Sequence, residues 1–312
     1  MKQSGPDRPP LYFETIEANV PLLADASRGY AQTMDMQIES ILSPRVAAGR
    51  AKGGRPTQQD ALVCLHDPAT DTFLLVLADG MGGDGAGELA SEGVVMITRQ
   101  LWAQDQWRDQ PGAIFLETLC QQSHAELRRR GQDLASGEPH STVVALLIRG
   151  HRVCWAHVGD SRLYRFQGKR CLGHTEDHSV SQLKVSRGEL DADQAGTDPD
   201  QHKLLRGLGG LQSPQVDHGG AVLRPGQSFV MCSDGVWEQL STRELGSLAN
   251  RRNQENALHS ALTLALERAG EAGDNVALIM FRTGRLSWFW HRIARRADML
   301  GRAPSELNRG NT

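Results

Sequence analysis

"FLLVLADGMGGDGAGELASEG", residues 73–93, decides how this chain is read. An apolar run ends in Asp79, glycines follow at 80, 82, 83 and 85, and a helical pattern then begins. Three arrangements produce such a string: a phosphate cradle, a hairpin turn, or a metal site. Gly80, Gly82 and Gly85 satisfy G-x-G-x-x-G, placed after a strand and before a helix. A pyrophosphate would meet the charge of Asp79 there. The helix also leads to a second helix, where a dinucleotide fold needs a strand. No Lys-Ser or Lys-Thr follows, so a P-loop fails too. Asp-Gly is a strong turn pair, yet no partner strand comes directly after it.

The metal reading draws on the rest of the chain. Asp60 opens "ALVCL", Asp79 closes "FLLVLA", and Asp160 lies between "CWAHV" and "LYRF". Asp234 closes "SFVMCS", and Asp274 precedes "NVALIM". Carboxylates at apolar strand margins repel one another and resist desolvation. Hard divalent cations remove that penalty, and an all-oxygen donor set favours magnesium or manganese over zinc. Two bridged cations suit phosphate-ester hydrolysis, because they activate a shared water and neutralise phosphoryl oxygens. Arg55, five residues before Asp60, has the planar fork that grips a phosphate.

Outward from this stretch, the sequence predicts a first strand in 36–42 and a strand–turn–strand unit around "HDPATD". Helices follow from Ala86 to about Trp107, with Leu89, Gly93, Met96, Ile97 and Leu101 as the recurring positions, and after "QPG", with Ile114, Leu116, Leu119 and Leu127. "STVVALLIRGHRVCWAHVGDSRLYRFQGKRC" holds three apolar runs, whose short breaks imply antiparallel neighbours covered on both faces. Residues 174–206 are polar and weakly periodic. A strand ends at Asp234, helices are expected at 241–252 and 255–270, and "NVALIMFR" is a last strand. Strand clusters alternating with helix pairs indicate an α+β layering.

Of the 312 residues, 39% are hydrophobic, which supports a sizeable core. A net charge of −3 gives no sign of a nucleic-acid partner. The five cysteines include no C-x-x-C pair and read as core residues of a reducing compartment. The N-terminus lacks an apolar signal core, and no apolar run reaches the ~18 residues of a transmembrane span. A cytoplasmic protein is expected.

At these residues the chain resembles the metal-dependent protein phosphatases, the PPM or PP2C family, in its bacterial branch. The resemblance rests on "RPTQQDA", "LADGMGG", "STVVALLI", "HVGDSRLYRF", "TEDHSV", "CSDGVWEQL" and "GDNVALIMF", in the family's order over about residues 35–283. It implies a four-layer αββα sandwich, two antiparallel sheets flanked by helices. It implies that Asp79 bridges two Mn²⁺ or Mg²⁺ ions, with the Gly80 carbonyl on one. Asp234 and Asp274 complete the first ion's ligands, Asp60 serves the second, and Asp160 with Asp234 holds a third, weaker ion. Arg55, Asp79 and Asp234 are the implied catalytic set, with Arg55 on the substrate phosphate. A metal-bridging water attacks phosphorus directly. Substrates are phosphoserine and phosphothreonine proteins, in opposition to a Ser/Thr kinase, and the segment near 180–206 is a flap. The other class of function is a catalytically silent relative that binds phosphorylated partners. Gln58 replaces the usual Asn, Met81 stands where eukaryotic members carry a histidine proposed as general acid, and Asp84 where many bacterial members have His or another residue.

His157 reads as a satisfied interior histidine, and His178 as a proton shuttle or a loop-fixing residue. Ser161 and Ser233 lack a nucleophile context. Residues 1–34 read as a loose N-terminal arm. Residues 284–312 read as a basic amphipathic tail, with Leu286, Trp290, Ile293, Ala297 and Leu300 on one stripe. Packing on its own domain, a partner groove and an anionic membrane surface are its three readings.

Overall fold

The computed structural model describes residues 38–83, 85–132, 138–191, 194, 196 and 198–283. The expected N-terminal arm, the C-terminal tail and Asp84 lie outside them. In chain order the elements are β1 (Glu39–Leu42), β2 (Val46–Ala51), β3 (Asp60–Asp67), β4 (Thr72–Met81), α1 (Ala86–Ala103), α2 (Gln106–Asp109) and α3 (Gly112–Gln132). There follow β5 (His140–Ser141), β6 (Val143–Arg149), β7 (Arg152–Val158), β8 (Arg162–Gln167), β9 (Arg170–His174) and α4 (Val180–Ser186). The chain continues through β10 (Asp217–Val222), β11 (Gln227–Cys232), α5 (Asp234–Trp237), α6 (Thr242–Ala249), α7 (Gln254–Ala269) and β12 (Val276–Arg282).

Two antiparallel sheets form, in the orders β1-β2-β12-β11-β8-β9 and β10-β7-β6-β4-β3, with β5 beside the end of β4. Strand alternation explains the layering. In β4, Leu74, Val76 and Ala78 join one apolar cluster with residues of α1 and α3. Phe73, Leu75 and Leu77 of the same strand join another, shared with the opposite sheet. In β12, Ala277, Ile279 and Phe281 enter that same inter-sheet cluster. Val276, Leu278 and Met280 turn outward to α6 and α7. Period-two strands covered on both faces therefore generate three apolar interfaces and four layers, helix, sheet, sheet, helix.

Two sequence readings need correction. Within α1, Leu89 and Met96 are 37% and 40% exposed, and the inward stripe is Ala90, Val94, Ile97 and Leu101. Gly93, Ile97 and Leu101 of the expected set are buried, and Ala90 and Val94 take the inward places expected of Leu89 and Met96. Ile114 is likewise 56% exposed, and Phe115 is buried in its place. The second correction concerns the break at Gly159-Asp160. β6 and β7 pair as expected, but β8 pairs with β11 and β9. The break is thus a crossing from one sheet to the other. Gly159, at φ 106°, makes it, and a Cβ there would sit 2.6 Å from Thr142 Cγ2.

No helix among the described residues is long and apolar enough to cross a membrane.

Candidate metal centre

Antiparallel pairing places the start of one strand beside the end of the next. Asp60, first in β3, stands directly opposite Asp79 near the end of β4. Asp234 follows β11 and Asp274 precedes its neighbour β12, so these two share one end of the other sheet. Asp160 joins them from the inter-sheet crossing. The Ser233 hydroxyl links the two rims, donating to Asp60 Oδ2 at 2.8 Å and accepting from Ala277 N–H at 3.0 Å.

β4 continues through Asp79-Gly80 to Met81, so the pair is no turn. The glycines have a packing role. A Cβ on Gly80 would lie 1.9 Å from the Gly87 carbonyl, and one on Gly87 would lie 2.4 Å from Gln59 Nε2. α1 can therefore begin directly over the end of β4. Around Asp79 the backbone is held from below: Thr142 Oγ1 accepts from Asp79 N–H at 3.1 Å, and Ser141 Oγ donates to the Asp79 carbonyl at 3.0 Å. The "ST" of "STVVALLI" is this clamp.

The electrostatics are those of crowded acids. Burial, helped by the charges of Asp234 and Asp274, pushes Asp60 up to about 8, against a smaller opposing effect of the Ser233 bond. Removal from water and then the charges of Asp60, Asp234, Asp160 and Asp274 hold Asp79 well above the usual carboxylate range. Asp160 is raised by burial and then by Asp234 and Asp177. Asp234 is raised by burial and then by Asp274. Asp60 Oδ1 is buried with no hydrogen-bond partner. A carboxylate oxygen in that state costs free energy unless a cation or proton meets it. An all-oxygen set of this kind fits hard divalent cations.

Residues 49–273 match the protein phosphatase 2C family. The chain belongs to that family. Among relatives of this protein phosphatase 2C, PhpP of Streptococcus pneumoniae is 30% identical over 178 residues, 55% of this chain and 70% of that protein. The Mycobacterium tuberculosis serine/threonine phosphatase PstP superposes with a TM-score of 0.68 at 25% identity, covering 77% of this chain and 99% of that one. The catalytic domain of PstP in complex with two manganese ions superposes at 0.62 with 26% identity, covering 76% and 96%. The phosphatase 2C sandwich of two antiparallel sheets between helices is thus the fold of this chain.

Asn275 and His202 escaped the sequence reading. Asn275 is 4% exposed. Its Nδ2 donates to the Lys52 and Thr57 carbonyls at 2.7 and 3.0 Å, and its Oδ1 accepts from Gln59 N–H at 2.7 Å. It thereby fixes the loop carrying Arg55. A polar residue between Asp274 and an apolar strand was the available signal. Gln58 Oε1 accepts from Asp60 N–H at 2.9 Å and so ties the loop to the start of β3. Arg55, half exposed, pairs with Asp274 Oδ2 at 2.5 Å and so stands at the mouth of the acid cluster. His202 Nδ1 lies 3.9 Å from Asp234 and 3.6 Å from Glu238, whose carboxyl burial pushes up to about 7. Nothing in its polar sequence setting marked it.

Proposed function

We propose that this phosphatase hydrolyses phosphoserine and phosphothreonine esters of proteins with Mn²⁺ or Mg²⁺, in the cytoplasm and in opposition to a Ser/Thr kinase. The convergence of five aspartates from two sheets, with the Asp60 Oδ1 orphaned among them, carries the reading. Asp79, with the Gly80 carbonyl, lies centrally and would be shared by two cations. Asp234 and Asp274 from one sheet and Asp60 from the other would complete their ligand sets. Asp160 with Asp234 would hold a third. Bound there, the cations would activate a water and neutralise phosphoryl oxygens. Arg55, already tethered at the cluster's mouth, would exchange its carboxylate for the substrate phosphate and orient it. Residues 180–206 would act as a flap beside this mouth and bias substrate choice.

The testing experiment is hydrolysis of a small aryl phosphate and of a phosphopeptide. Both should require added Mn²⁺ and stop with chelator. Undiminished turnover in a chelated Asp79→Ala/Asp234→Ala variant would overturn the assignment. A silent binding module has no use for a full set of five carboxylates, and absence of phosphopeptide turnover would favour it.

A further inference from the structure

Asp160 sits on the crossing between sheets, where no ladder partner on either side fixes its backbone. The His178 backbone N–H donates to the Gly159 carbonyl at 3.0 Å, and two side chains add to that hold. Gly159 N–H donates to His178 Nδ1 at 3.1 Å. Trp237 Nε1–H donates to the Asp160 carbonyl at 3.0 Å. Trp237 is covered by Arg162, whose guanidinium carbon lies 3.6 Å from the ring centroid. Arg162 in turn forks onto Asp177 at 2.8 and 2.7 Å. The holds on Gly159 and on the Asp160 carbonyl therefore end on two consecutive residues, His178 and Asp177.

Those residues form the neck of the 180–206 segment. The chain departs at Ser179 and returns at Leu204, joined by a bridge. Leu205 N–H donates to the His178 carbonyl at 2.7 Å. Just beyond, Arg206 Nη1 donates to Asp217 Oδ1 at 2.8 Å, and His178 Nε2 faces Asp217 Oδ2 at 3.3 Å. The His178 ring stacks on His157, centroids 4.6 Å apart.

His157, His178 and Asp217 also bring ligand atoms within 4.8 Å of one another. The hydrogen bonds oppose a metal there. Since His178 Nδ1 accepts from Gly159, its neutral ring carries the proton on Nε2, and Asp217 already holds Arg206. His178 and Asp217 form the brace, and His157 stacks on it with Nε2 on the Glu176 carbonyl and Nδ1 buried without a partner.

We propose that Asp177 and His178 are positioning residues for Asp160, so that the neck of the 180–206 segment sets the affinity of the cation held by the Asp160 carboxylate. This rests on the reading of Asp160 as a ligand of the third, weaker ion. Groups that orient a metal ligand from behind commonly govern affinity without touching the ion.

The test is Mn²⁺ titration of the full chain by calorimetry, beside aryl phosphate and phosphopeptide hydrolysis. His178→Phe keeps the ring stacked on His157 and removes the acceptor. Trp237→Phe keeps the ring under Arg162 and removes the donor. Each should weaken the weakest Mn²⁺ step roughly 10–100-fold and leave the tighter steps unchanged. His178→Asn, whose Oδ1 can accept at the Nδ1 position, should restore most of the loss. In an Asp160→Ala background, which should lack the weak step, His178→Phe should change Mn²⁺ binding no further. An unchanged weak step in both Phe variants overturns the proposal, and Trp237→Phe alone decides it if His178→Phe does not fold. A weak step that persists in Asp160→Ala instead removes the ligand reading beneath it, and the proposal with it.

Discussion

Asn275 shows how much of the site depends on a residue without charge. Its amide joins residues 52, 57 and 59 to the start of β12, and it is buried. Asn275→Ala leaves two carbonyls and an N–H without their partner. Such buried orphans cost about 1–3 kcal/mol, which a urea midpoint should register. Because the loop carries Arg55, KM for an aryl phosphate should rise more than kcat falls. Ser233 has a similar place behind Asp60. The acids themselves were legible in the sequence because carboxylates at apolar margins are anomalous. Asn275, Ser233 and Trp237 were not, because an amide, a hydroxyl or an indole beside a strand is ordinary until its partner is seen. His178 resolves toward fixing the loop, since Nδ1 accepts from Gly159 and burial followed by His157 brings its pKa down to about 4. Its folded pKa lies below the unfolded value of 6.5, so the unfolded chain binds the extra proton. Stability should therefore fall as pH drops from 6.5 toward 4, and His178→Phe should flatten that part of a thermal-melting profile.

Among the elements, the long β strands read most clearly from sequence, since their apolar runs are buried on both faces. α1 was found with Gly93, Ile97 and Leu101 on its inward face, while Leu89 and Met96 were placed where Ala90 and Val94 lie. Short elements were missed. β10, "DHGGAV", carries two glycines and lies exposed at a sheet edge, and α5 has only four residues. Helix α6 offers a clean test of a local rule. Ser241 Oγ accepts from Glu244 N–H while the Glu244 carboxylate accepts from Ser241 N–H, a complete capping box. Ser241→Ala should cost about 1 kcal/mol in chemical denaturation, with aryl phosphate hydrolysis unaffected.

For the whole molecule, the acid rim couples folding to cations and protons. Asp60 has a folded pKa of about 8 against an ordinary 3.8. Between those values the folded chain binds a proton that the unfolded chain has lost, so the contribution to stability falls as pH rises through that window. On the proposed function, cations would replace the protons. Mn²⁺ binding at about pH 7 should release protons, read as a buffer-dependent calorimetric heat. The rise in Tm on adding Mn²⁺ should be larger at about pH 8 than at about pH 5.5. Equal gains at both would contradict the picture.

By itself the sequence determined the α+β layering, the acidic residues and the family pattern, because strand periodicity and carboxylate placement are local properties. Only the tertiary structure decided that the Gly159-Asp160 break changes sheets, that Gly80 and Gly87 seat a helix on a strand, and that Asp177, His178 and Trp237 brace Asp160. Those facts are contacts between residues up to 77 positions apart, Thr142 to Gly159, Gly80 to Gly87 and Asp160 to Trp237 among them. Contacts of this kind depend on how sheets and helices are set against each other, which no neighbouring residue encodes.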